Sequence, residues 1–281
     1  MSADPRVLWE ELTDPELEAA RAAGSLVLLP IGAIEQHGPH LPAGTDAAIA
    51  RAVAEHVARR LVDAVVLPAI PWGYSATHMS FSSTLSLRPH TMLGLLHDLC
   101  GSVVAHGFDK LAIICSHATN RPVCQLFVQE FAAVHGVTIA FVHYTDFARE
   151  AFGELRQTEL GGEMHAGEFE TSLQLYLQPE LVQREHATAD YVDPVRHFGV
   201  STAARDFTKG GNIAVGYDIK RLFPTGVMGD ARPASREVGE QLFATIVEQI
   251  AAVLGEYCAF DYGDRARLTA ALAPESWHRG R

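Results

Sequence analysis

The chain has 281 residues, 48% of them apolar, with a formal charge of −12, enough length to bury a full-sized core as one large domain. That charge argues against a nucleic-acid partner, whose contact surface needs Lys and Arg to neutralise phosphates, and favours small-molecule partners. No stretch approaches the roughly 20 uninterrupted apolar residues of a bilayer span, and the acidic start "MSADPRVLWEELTD" is unlike a signal peptide, so a cytoplasmic enzyme without a membrane partner is expected.

Along the chain, short apolar runs alternate with helix-length amphipathic segments. "SLVLLPIG" (25–32) leads to a helical pattern over 46–61, "AVVLPAIPWG" (64–73) to one over 89–107, and "KLAIICSH" (110–117) to one over 121–136, followed by "VTIAFVHY" (137–144). This rhythm predicts an α/β fold in three layers, a mostly parallel central sheet flanked by helices. Gly107 and Gly136 fall where C-terminal caps belong, and Pro89 and Pro122 near helix starts. Residues 167–182 read as a helix stopped near Pro179, and 183–232 as a loop-rich region. A last helix over 233–257 carries Leu242, Ile246, Ile250 and Leu254 as one core-facing stripe. Without repeats or a composition break, residues 1–281 are expected to form a single domain. Cys100, Cys115, Cys124 and Cys258 lie scattered in apolar segments, so free thiols are expected rather than disulfides or a cysteine metal site.

In an open α/β sheet, ligands bind beyond the carboxyl ends of the strands, and three polar clusters fall there. The first, 32–46, holds Glu35, His37, His40 and Asp46; "LAIICSHATN" delivers His117; and "GGEMHAGEFETS" sets Glu163, His165, Glu168 and Glu170 around a helix start. Carboxylates and imidazoles from separate strand ends can converge on a divalent cation, and one more glutamate allows a second ion bridged by a shared aspartate. Glu35 and His37, two residues apart in one short connection, could reach two ions that flank a central carboxylate, for which Asp46 is the candidate. Ordinary roles compete. Asp46 with Thr45 could cap a helix, His117 could be a hydrogen-bonded loop residue, and the glutamates could favour a helix dipole. His40, His56, His78, His90, His97 and His106 read by default as surface or satisfied core residues.

The stretch "LLPIGAIEQHGPHLPAGTD" closely resembles the creatininase-family signature P-x-G-x-x-E-Q-H-G-x-H-L-P-x-x-T-D. "GYSATHMSFSSTLSL", "ICSHATN", "HAGEFETS" and "MGDARPASREVGEQLF" follow in the order of that family's remaining motifs, so the resemblance spans about residues 8–255. It implies a parallel-sheet α/β fold, two divalent ions per chain (Zn, Mn or Fe), hydrolysis of a small cyclic or amide-bearing molecule, and a homo-oligomer, a hexamer. Carried over, Glu35, Asp46 and His117 would hold one ion, and His37 and Asp46 the other. Creatininases supply the last ligand as a glutamate where this chain has Thr119, and relatives lacking it recruit one from the H-A-G-E segment. Glu168 is therefore the expected ligand, with Glu170 in reserve. Cys115, Ser116, Ala118 and Thr119, and Ser82 and Ser83, depart from the family pattern beside the pocket, which sets creatinine itself apart as a substrate.

The expected reaction is hydroxide attack on the carbonyl of a small cyclic amide, formamide or related cyclic carbonyl compound, the ions lowering the pKa of a shared water. His165, beside Glu168, would protonate the leaving group, and Ser75, His78 and Thr119 would contact substrate. Alternatives are ring opening of a cyclic ketone by C–C cleavage, or a non-catalytic metal- or ligand-binding protein. A metal-free nucleophile at Cys115 or Cys124 lacks an activating pair beyond His117. The 183–232 region, with Lys209, Gly210, Gly211 and Tyr217, is expected to close over the site.

Overall fold

The computed structural model describes residues 6–260. Helix α1 (Asp14–Ala22) precedes strand β1 (Leu26–Ile31), and α2 (Thr45–Arg60), β2 (Ala64–Val66), α3 (Pro89–Ala105), β3 (Lys110–Cys115), α4 (Arg121–His135) and β4 (Thr138–His143) follow. The four strands pair in parallel in the order β2-β1-β3-β4. Next come α5 (Arg149–Leu155), β5 (Glu163–His165), α6 (Glu168–Leu177), β6 (Ala189–Asp190), the short helices α7 (Pro194–Phe198) and α8 (Ile219–Leu222), β7 (Met228–Asp230) and α9 (Arg236–Ala259).

Strand alternation divides the core in two. Leu26 and Leu28 of β1 face one side, where they meet Ile49 and Val53 of α2, Phe169 and Leu173 of α6, and Leu242, Ile246, Ile250 and Leu254 of α9. Val27, Leu29 and Ile31 face the other, against Met92 and Leu96 of α3 and Phe127 and Phe131 of α4. The sheet is thus covered on both faces, which explains why β1 reads as an unbroken apolar run. By length and composition α9 could cross a membrane, but its apolar stripe is spent on α2 and α6. Gly136 ends α4 with φ +65°, the left-handed cap expected of it. The four cysteines are free, and only Cys258 is less than fully buried.

Two features depart from expectation. Within 163–230 a second sheet, β5-β7-β6, is antiparallel. Its strands have two or three residues each, too few to display an alternating pattern in the sequence. The α2 N-cap is Gly44, and no side chain caps it; Thr45 Oγ1 donates to the Pro42 carbonyl at 2.8 Å instead. Asp46 is therefore free for another role.

Helices α6 and α9 cross in close contact. A Cβ on Gly239 would lie 1.9 Å from the Ser172 carbonyl oxygen, so only glycine permits this approach. Gly239→Ala should lower the unfolding free energy by about 3 kcal/mol, the upper end of overpacking costs because the obstacle is backbone. Denaturant titration followed by circular dichroism would measure it, and an unchanged midpoint would show that the helices part without cost.

Candidate metal centre

In the order β2-β1-β3-β4, the connection leaving β1 runs to one side and the connection leaving β3 to the other, so the carboxyl ends of β1 and β3 flank a topological switch point. Glu35 and His37 lie on the segment leaving β1, His117 two residues past β3, and Asp46 in the first turn of α2. The Asp46 carboxylate stands between two imidazoles, with His37 Nε2 3.5 Å from Oδ1 and His117 Nδ1 3.0 Å from Oδ2. Glu35 Oε2 is 3.3 Å from His117 Nε2, while its Oε1 faces His78 Nε2 at 3.6 Å and His165 Nδ1 at 3.7 Å. Glu170 Oε2 completes the cluster 3.9 Å from His37 Nε2 and 4.0 Å from His165 Nδ1. Among the described residues, three sets have donor atoms close enough to share an ion: Glu35, Asp46 and His117; His37, His165 and Glu170; and Glu35, His78 and His165.

These residues fit a divalent cation. Both Glu35 oxygens, His37 Nε2 and Asp46 Oδ2 are buried and make no hydrogen bond, although buried polar atoms normally have a partner. His37 Nδ1 donates to the Glu35 carbonyl at 3.1 Å, which turns Nε2 toward Asp46 and Glu170, the orientation a ligating imidazole adopts. A mixed carboxylate and imidazole set suits Zn, Mn and Fe.

Electrostatics express the same crowding. Burial opposes a charge on His37, but Asp46, Glu170 and Glu35 outweigh it and raise its pKa to about 10; Glu35 and Asp46 likewise raise His117 to about 10. Burial, assisted by Asp46, lifts Glu35 to about 7, whereas His37 and His117 overcome burial and hold Asp46 well below the usual carboxylate range. Burial and the neighbouring imidazoles depress His78 to about 2 and push His165 well below its ordinary value.

The cluster opens on a cavity of about 500 Å³ lined by Glu35, Asp46, His78, His117, Thr119, His165 and Glu170. Glu168 is the exception. Its carboxylate accepts from the Gln157 amide at 2.7 Å and from the Thr158 amide and hydroxyl at 2.9 and 2.7 Å, and it belongs to none of the ligand sets. Two residues along a helix rotate a side chain by about 200°, so Glu168 and Glu170 point to opposite sides and Glu170 is the one that enters the cluster. Glu170 is steadied by the Ala166 amide at 2.6 Å and the Tyr144 hydroxyl at 3.2 Å. Ser75 lies behind His117, its Oγ 3.3 Å from Nε2, and does not line the cavity. The Thr119 hydroxyl donates to the Tyr74 carbonyl and touches His117 Nε2. Gly210 and Tyr217 reach the cavity, while Lys209 and Gly211 do not. His40 is committed to Thr171 at 2.8 Å. Sequence reasoning missed His143 and Tyr144, both at the carboxyl end of β4, where the strand-end rule would have found them.

An α/β sheet with this donor set at its switch point defines a metal-dependent hydrolase. Residues 10–254 match the creatininase family model, described as creatinine amidohydrolase. The chain belongs to the creatininase family, hydrolases that act on carbon–nitrogen bonds. It is 32% identical over 270 residues to the creatinine amidohydrolase of Pseudomonas putida, covering 88% of this chain and 95% of that protein. It is 31% identical over 230 residues to the mycofactocin precursor peptide peptidase of Mycobacterium ulcerans, covering 79% and 81%. A creatininase variant solved in a Zn–Zn form superposes with a TM-score of 0.74 at 28% identity, over 90% of this chain and 98% of that one.

Proposed function

We propose that this chain uses two divalent ions, Zn, Mn or Fe, to hydrolyse a small cyclic amide, formamide or related cyclic carbonyl compound. Glu35, Asp46 and His117 would hold one ion, and His37, Asp46 and Glu170 the other. When bound, the ions supply a water of lowered pKa and polarise a carbonyl. Around them, Thr119 and His78 border the space for substrate, and His165 carries a proton to the leaving nitrogen. The observation that carries this reading is the set of four unpartnered buried donor atoms on Glu35, His37 and Asp46, beside a cavity that Glu35 and Asp46 line and whose volume of about 500 Å³ suits a small molecule. The family resemblance further supports a homo-oligomer, a hexamer, and the sequence pattern supports a cytoplasmic protein with residues 1–281 acting as one domain.

Elemental analysis of the purified protein should find two ions per chain, and a chelator should abolish turnover of cyclic amides or formamides until metal is restored. Cyclic ketones and short peptides belong in the same substrate panel. Protein that carries no metal and takes up neither Zn, Mn nor Fe would rule the reading out.

A further inference from the structure

Gln36 sits between two candidate ligands and is assigned to neither ion, yet its side-chain amide is held on every side. The Gly38 amide can only donate, so the atom 2.9 Å from it is the oxygen Oε1; the Gly226 carbonyl can only accept, so the atom 3.2 Å from it is the nitrogen Nε2. Gly226, at φ +83°, is moulded to this amide: a Cβ there would fall 1.8 Å from Oε1. With the amide orientation settled by two main-chain groups, the hydrogens on the surrounding rings can be assigned.

Two imidazole nitrogens lie 3.1 Å from Gln36 Nε2, namely His78 Nδ1 and His165 Nε2. His165 Nε2 is also 2.8 Å from the main-chain oxygen of Gln36. A carbonyl cannot donate, so His165 Nε2 carries a hydrogen and cannot accept from the amide. The second amide hydrogen therefore goes to His78 Nδ1, which carries none. Both neutral rings are Nε2–H tautomers, but they turn opposite atoms to the cavity. His78 presents an N–H at Nε2, 3.6 Å from Glu35 Oε1, and His165 presents a lone pair at Nδ1, 3.7 Å from the same oxygen and 4.0 Å from Glu170.

We propose that Gln36 is a positioning residue that sets His78 and His165 as a donor and acceptor pair across the substrate site. His78 Nε2–H donates to the substrate carbonyl oxygen as that oxygen gains negative charge. His165 Nδ1 takes a proton from the attacking water and returns it to the leaving nitrogen, so that a C–O bond forms, a C–N bond breaks and the proton ends on the amine. The catalytic meaning rests on the hydrolase reading above; the tautomers can be observed without any substrate.

The test is ¹⁵N-histidine NMR of the zinc-loaded protein, with the two rings assigned from His78→Gln and His165→Gln variants. The wild type should show both rings protonated at Nε2 alone. In Gln36→Glu the carboxylate can only accept, so His78 should move its hydrogen to Nδ1 while His165, tied to the main chain, does not change. Zinc content should be retained, and kcat should fall about 100-fold with KM altered less than about threefold. A hydrogen on Nδ1 of either ring in the wild type overturns the proposal, as does a Gln36→Glu protein in which both rings change or neither does. If Gln36→Glu does not fold, the wild-type spectrum decides. Tautomers as assigned in a protein that hydrolyses nothing would remove the catalytic half of the proposal and the hydrolase reading together.

Discussion

Asp46→Ala should strip both ions from the protein and lower kcat/KM by about 1,000-fold or more, since bound metal contributes several kcal/mol of transition-state stabilisation. Asp46 is the carboxylate that touches both His37 and His117, at 3.5 and 3.0 Å, and so the group whose loss disconnects the two halves of the cluster. The change also removes a carboxylate that favours the charged form of both His37 and His117. Asp46→Asn keeps the shape of the site and separates the loss of charge from any loss of fold. Elemental analysis beside steady-state kinetics would check both, and two ions retained in the alanine variant would mean that Asp46 does not bridge.

A paired substitution carries the second large effect. Glu170→Ala should cost one of the two ions and lower activity by about 100-fold or more, because it removes a charged group from the cluster itself. Glu168→Ala should keep both ions but lower the unfolding free energy by about 3 kcal/mol, because the Gln157 amide and the Thr158 amide and hydroxyl lose their shared acceptor. Metal content and denaturant titration of the two variants should show opposite patterns. The crossed result, with metal lost from the Glu168 variant alone, would return the ligand role to Glu168.

These two glutamates also mark where sequence reading stops. Glu35, His37, Asp46 and His117 could be placed at strand ends because β1 and β3 are buried on both faces and announce themselves as unbroken apolar runs. The structure draws those four together at the switch point. Choosing between Glu168 and Glu170 needs the rotational phase of α6, which depends on where the helix begins and how it packs, and neither is written in the residues HAGEFETS. His78 was equally hard to place. It follows a loop with no periodicity, and only the folded chain shows it buried beside Glu35 and Gln36. The small antiparallel sheet left no trace for a related reason, since its strands end before a pattern can repeat.

The crossing of α6 and α9 at Gly239 has a consequence for how the protein is made. Glu35, Asp46 and His117, together with all four strands of the parallel sheet, leave the ribosome within the first 143 residues. The helix that carries Glu170 shares its core with β1 and α2, but that core is closed only when α9, ending at Ala259, docks against it. At about 5–20 residues per second, the nascent chain therefore spends several seconds with Glu35, His37, Asp46 and His117 already made and Glu170, or the last helix behind it, still to come. The side of the cluster that Glu170 supplies is thus completed only when synthesis is nearly over and the last helix closes the layer behind it.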